Sequence, residues 1–170
     1  ASARTTLSLR GRLARQSQDY TVGVRGNGTG EVPHDQSATR LDWNVAPELE
    51  QQLGGGWRLT GTLYGAGYHT DQALRHRESG AVRSRSSLDQ YHGEAEAVLR
   101  GALGSDHLLT VGGGTLIEAV DADRKEGRRT GGFGFVQDEW SLADNLAVTG
   151  SVRLDANSDY TSRLSPNLAV

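Results

Sequence analysis

From Leu146 to Asp155 apolar and polar positions alternate without a break. Leu146, Val148, Gly150, Val152 and Leu154 fall on one side, and Ala147, Thr149, Ser151, Arg153 and Asp155 on the other. A period of two is the mark of a strand with one oily and one wet face. The same pattern places Leu7, Leu9, Gly11 and Leu13 against Ser8, Arg10, Arg12 and Ala14, and Tyr20, Val22 and Val24 against Thr21, Gly23 and Arg25. It places Leu41, Trp43 and Val45 against Arg40, Asp42 and Asn44. Trp57, Leu59, Gly61, Leu63, Gly65 and Gly67 then oppose the residues between them, a run long enough to cross a bilayer at about 9 to 11 residues. Tyr91, Gly93, Ala95, Ala97 and Leu99 oppose Gln90, His92, Glu94, Glu96 and Arg100, and Leu109, Val111, Gly113, Thr115 and Ile117 continue the series. Phe133 and Phe135 alternate with Gly132 and Gly134 ahead of Gln137-Asp138-Glu139-Trp140, and a last strand begins shortly before Val170. The whole predicts an all-β, antiparallel up-and-down meander of about eight to nine strands.

The connections predicted between these runs alternate in length. Gln16–Asp19, Gly101–Asp106 and Ala143–Asn145 are short, Pro47–Gly56 is intermediate, and Gly26–Gln36, His69–Leu88 and Asp121–Thr130 are long. Transmembrane β-barrels have short turns on the periplasmic side and long external loops, so this rhythm predicts a section of a large transmembrane β-barrel. It makes the first strand descend from outside. Trp57 and Trp140 then lie beside the periplasmic connections, and Tyr68 and Tyr91 flank the longest external loop, as interfacial girdles would. One domain is expected over residues 1–170, a partial barrel whose open edges other strands would pair.

Composition narrows the alternatives. Hydrophobic residues make up 35%, mean hydropathy is -0.54 and glycine accounts for 23 of the 170 residues. A barrel strand needs only every second residue apolar and tolerates this. Gly61, Gly65, Gly67, Gly93, Ala95 and Ala97 would leave the core of a soluble sandwich thinly filled. No run approaches the roughly 18 apolar residues of a membrane helix. The 18 basic and 21 acidic residues are dispersed, giving a net charge of -3 and no basic stripe for nucleic acid. Cysteine is absent, which removes disulfides and cysteine-ligated zinc.

The wording of residues 131–170 adds to the pattern. Phe135-Val136-Gln137-Asp138-Glu139-Trp140, the turn Leu142-x-Asp144-Asn145-Leu146, the strand end Arg153-x-Asp155 and then Leu164-Ser165-Pro166-x-Leu168 resemble the middle of the barrel of TonB-dependent outer-membrane receptors. The resemblance implies residence in the outer membrane of a Gram-negative-type bacterium. It also implies import of a scarce ligand such as a siderophore or cobalamin, with TonB-supplied energy. The partners it implies are outer-membrane lipid, a small-molecule ligand such as a metal chelate, and the TonB energy-transducing complex. That complex would act through a plug domain not present in this stretch. Two readings compete: a soluble all-β sandwich binding carbohydrate or another ligand, and a small outer-membrane anchor barrel.

Residues capable of chemistry are few. His69, His76 and Arg77, in the predicted long loop with Arg75, Arg83 and Arg85, suit capture of an anionic ligand such as a ferric chelate. His92, Glu94 and Glu96 lie two apart on one strand face and read as polar barrel wall rather than a metal site. Asp121, Asp123 and Glu126 approach a calcium loop, which Lys125 breaks, so they read as a solvated loop. Gly54–Gly56 and Gly112–Gly114 lack the lysine of a phosphate loop and read as turn and bend positions. Asn27-Gly28-Thr29 matches a glycosylation sequon without meaning in a bacterial outer membrane, and Gln137, Asp138 and Glu139 read as wall or turn residues. No nucleophile–base or paired-carboxylate arrangement stands out. Neither an enzyme, a cofactor nor a metal is expected.

Overall fold

A computed structural model describes residues 4–25, 30–123 and 125–170. Its strands are β1 (Arg4–Arg25), β2 (Glu31–Gln52), β3 (Arg58–His76), β4 (Val82–Leu103), β5 (His107–Ala122), β6 (Lys125–Ala143), β7 (Leu146–Asn157) and β8 (Arg163–Ala169). Each pairs antiparallel with its sequence neighbour, in one sheet ordered β1 to β8. The all-β antiparallel meander is as the alternation predicts. β1 and β8 are its two edges and do not pair with each other among the described residues.

This sheet is one layer thick. Among the described residues no hydrophobic side chain is buried, and Leu7, Leu9 and Leu13 are 74%, 70% and 73% exposed. The accessible surface is 11946 Å², against about 8,100 Å² for a globular monomer of 18.2 kDa. A sandwich would bury its oily faces against each other. Here no second sheet exists among the described residues, so the apolar face needs cover from outside.

The register concentrates that face into a belt. Leu13, Trp43, Gly67, Tyr91 and Ala119 share one row near its upper limit. Leu59, Leu99, Val111, Val136, Val152 and Pro166 share another near its lower limit. Trp57 lies below that row with its indole over Gly101, and Trp140 stacks on His107 at 5.4 Å and 11°. From Trp57 to Gly67 is ten residues, about 33 Å of strand; tilted at about 40° this spans about 25 Å, the height of an outer-membrane apolar band.

Three expectations change. Phe133 and Phe135 pair with Gly114 and Gly112 on one side and with Asp155 and Arg153 on the other, which puts both rings on the polar face. The β5–β6 register pairs even with odd positions, Ala122 with Lys125, so Gly132, Gly134 and Val136 carry the apolar face instead. Tyr68, level with Asp42 and Gln90, also points to the polar side, and Trp43 takes its place in the girdle.

The third change concerns strand length. β1 is continuous through Gln16–Asp19, β2 runs past Pro47 to Gln52, β3 extends to His76, and the Asp121–Thr130 segment is mostly strand. What polarity marks as long loops are tall hairpins, because a backbone ladder closes its hydrogen bonds whether or not either face is apolar. The apparent break at Gln16–Asp19 is a change of phase: the oily positions are odd from Leu7 to Leu13 and even from Tyr20 to Val24. Consequently the Arg4 end of β1 lies with the tight turns, opposite to the direction the loop rhythm predicts. Pro47, lacking an N–H, opens only the β2–β3 ladder, which skips from Val45–Gly65 to Glu48–Thr62.

Candidate functional site

Within the belt the polar face is electrically balanced across strands. Arg10 pairs with Glu48 at 3.3 Å, Arg12 with Asp42 at 3.2 Å, Arg58 with Glu50 at 3.5 Å and Arg100 with Glu139 at 3.1 Å. His92 sits between Glu94 (3.6 Å) and Glu118 (3.4 Å) with the Tyr64 ring edge-on to it, so both its nitrogens face carboxylates. Glu118 also holds Arg129, whose Nη1 donates to the Tyr160 hydroxyl at 2.6 Å and ties the β7–β8 connection to β6. Exposed pairs of this kind are worth at most about 1 kcal/mol each; their effect is to neutralise the wall.

Lower on that wall, the Arg153 guanidinium lies 4.0 Å over the Phe133 ring while its Nε donates to both Asp155 carboxylate oxygens at 2.9 and 3.0 Å. The Arg-x-Asp of the sequence is thus a same-face fork. Gly112 and Gly114 make room for the rings: a Cβ on Gly112 would stand 2.6 Å from the Phe135 ring, and one on Gly114 3.0 Å from Phe133. The neighbouring Gln137, Asp138 and Glu139 divide between faces. Glu139 meets Arg100 on the polar side, and Asp138 meets His107 at 2.7 Å on the apolar side beneath Trp140.

Above the Trp43–Tyr91 row the three predicted ligand residues part company. His69 and His76 lie seven apart on β3 and therefore project from opposite faces. His69 is clamped between Asp71 (Nε2, 2.8 Å) and Asp89 (Nδ1, 2.8 Å) on the side continuous with the apolar belt. The Asp71 carboxylate, and then Asp89, hold the His69 imidazole above its ordinary range. Arg77 reaches the same side, donating to Thr21 at 3.3 Å with Asp35 4.0 Å away. Only His76 is on the polar side, facing His34 directly across the β2–β3 ladder with ring centroids 5.3 Å apart.

His34 is the residue that pattern reading misses, having been assigned to a loop. It is 2% exposed; its Nδ1–H donates to the Val32 carbonyl at 2.9 Å, leaving Nε2 to accept from Arg83 at 3.4 Å. Arg83 reaches it from the bulge at Leu74/Arg75 in the β3–β4 ladder. Farther down the same face Arg40 lies 5.4 Å over the Tyr68 ring. The directly paired histidines could have been found only by knowing that Glu31 already belongs to β2.

The remaining candidates are structural. Gly55 and Gly56, at φ 71° and 81°, make the tight turn between β2 and β3. Asp123 accepts hydrogen bonds from the backbone N–H and hydroxyl of Ser87. Asn27-Gly28-Thr29 lies outside the described residues.

Comparison with known proteins places this arrangement. The family described as TonB dependent receptor-like, beta-barrel matches residues 1–170. The structure is similar to that of the siderophore receptor PirA from Acinetobacter baumannii, with a TM-score of 0.53 and 14% identity over 94% of this chain. It is also similar to the siderophore receptor PirA from Pseudomonas aeruginosa, with a TM-score of 0.48 and 15% identity over 98% of this chain. The chain spans 31% and 39% of those two chains, respectively. No curated protein matches. The sheet is a section of a large transmembrane barrel, and the chain belongs to the TonB-dependent receptor-like β-barrel family.

Proposed function

We propose that the protein is an outer-membrane receptor that imports a scarce small molecule such as a siderophore, energised through TonB. The observation that carries this reading is the family match over the whole chain. A belt of apolar side chains about 25 Å tall, with no partner in the sheet, supports it. In this reading the apolar face meets lipid and the polar face lines the lumen. The Trp57–Trp140 end is periplasmic and the tall hairpins stand outside. A plug domain and further strands complete the receptor, and TonB acts through the plug. The work done is transport, not catalysis.

Lacking cysteine, the chain accepts single-cysteine probes cleanly. Environment-sensitive labels at Leu63 and Thr62 of the full-length receptor in outer-membrane vesicles should report lipid and water, respectively. Water at both would refute the belt. For the transport claim, uptake of radiolabelled ferric chelate in iron-starved cells should vanish when either the receptor or TonB is deleted. Uptake unchanged by both deletions would refute it.

A further inference from the structure

The five histidines divide by what faces them. His69, His92 and His107 each have a carboxylate within ion-pair distance, whereas His34 and His76 have none among the described residues. Their charged neighbour is a cation, Arg83. We infer that His34 and His76 form an acid-released latch: as neutral rings they fasten the tip of the β3–β4 hairpin to the upper end of β2, and protonation lets it go.

The geometry needs both rings neutral. His34 donates its Nδ1–H to the Val32 carbonyl at 2.9 Å, which leaves Nε2 to accept from Arg83 at 3.4 Å. Directly opposite across the β2–β3 ladder, His76 accepts the backbone N–H of Ser79 at its Nδ1, at 3.4 Å. Both donors belong to the tip. Ser79 lies in the turn, and Arg83 is the extra residue of the β3–β4 bulge, which aims it at His34. One lone pair on each ring therefore holds one tip residue, and a proton on that nitrogen takes the lone pair away.

Protonation also sets cation against cation. The ring centroids are 5.3 Å apart and His34 is 2% exposed, so a charge there has neither water nor a counter-ion to face. On this face β1 presents Val22, opposite His34, and the phenol of Tyr20; β2 carries no charge nearer than Arg40, and β4 brings Arg83 itself. Asp19, Glu31 and Asp35 project from the other face, and Glu78 in the turn forms no ion pair among the described residues. With both acceptors gone, the tip keeps only the ties of Arg77, its N–H to the Pro33 carbonyl at 3.2 Å and its guanidinium to Thr21 at 3.3 Å beside Asp35.

The closed tip thus binds fewer protons than the released one, and it loosens as pH falls through the imidazole range, about 6.5 in water. His69, lower on β3 and on the opposite face, answers acid with the opposite sign, so loosening of the tip in acid cannot come from it. The latch rests on the geometry of the hairpins; that it senses the medium outside the cell rests on the receptor reading.

The test follows amide exchange in the full-length receptor in outer-membrane vesicles by mass spectrometry, corrected for the intrinsic effect of pH. Between about pH 7.5 and about pH 5, exchange across residues 76–82 should quicken at least about tenfold, the range of one lost hydrogen bond to a charged group. The double variant H34Q/H76Q keeps a polar side chain at each position without a titrating ring and should abolish this acid response. R83Q should quicken the tip already at the higher pH, and H69Q should leave the acid response whole. Heat-shifted gel mobility confirms that each variant is folded. A tip no faster in acid, or an acid response that survives in H34Q/H76Q, would overturn the latch. Separately, E78C should react with a membrane-impermeant maleimide on intact cells. If it stays unlabelled while the acid response persists, the latch stands and the external placement of the tip falls.

Discussion

The indole of Trp43 lies flat against Gly67, its register partner on β3, so closely that a Cβ at that position would overlap the ring. Trp57 covers Gly101 in the same way. These two of the three girdle tryptophans therefore run along the wall instead of standing off it, and glycine is what lets them. G67V should displace the ring and cost about 1–3 kcal/mol, the usual penalty for overfilling a packed contact. G61V, where a Cβ would meet nothing within 4 Å, should cost far less. Urea unfolding in vesicles compares them; equal losses would mean that the indole does not depend on Gly67.

Leu63 and Thr62 are neighbours that face opposite ways at mid-belt. L63R places a guanidinium at the centre of the apolar band and should cost about 2–4 kcal/mol. T62R lands on the polar face between Glu48 and Glu96 and should be tolerated. Assembly yield and unfolding midpoint check the contrast, and similar effects at both positions would contradict the assignment of faces.

His69 gives the rim a pH dependence with a definite sign. Its pKa in the folded chain is raised above 6.5 by Asp71 first and Asp89 second. The folded state therefore holds the proton more tightly than the unfolded one. The stabilisation of the β3–β4 hairpin is fully present below pH 6.5 and is lost as pH rises through the raised value. Imidazole titration by NMR should give a midpoint above 6.5 that falls back in D71N and D89N. A midpoint unmoved by both would show that the clamp does not form. Amide exchange in β3 and β4 should quicken above that midpoint beyond the intrinsic pH trend.

Arg153 is bound twice, to the Phe133 ring and to Asp155. R153M keeps much of the side-chain bulk and should cost about 1 kcal/mol, since the ion pair is half-exposed and the cation–π contact there is worth about 0.5–1 kcal/mol. A double-mutant cycle with F133L should return that 0.5–1 kcal/mol as coupling. Additive losses would mean the ring and the guanidinium are merely neighbours.

The barrel character was legible because alternation is local. Each run such as Leu146 to Asp155 states its own period, and Arg153-x-Asp155 marks two side chains that any strand must put on one face. Strand ends and phases were not. Above the belt both faces are wetter and the oily phase reverses, so β1 read as two strands and the β3–β4 hairpin as a loop.

What the sequence by itself determined is therefore the all-β class, the two-faced strands and the family, since these rest on period and on short adjacent motifs. Only the tertiary structure decided that Phe133 and Phe135 face the polar side, that His69 and His76 are separated by the sheet, and that His34 meets His76 and Arg83. The reason is physical. A strand carries the order of its side chains but not its register; register is set between strands by turn length and backbone hydrogen bonds, and a shift of one residue exchanges the faces.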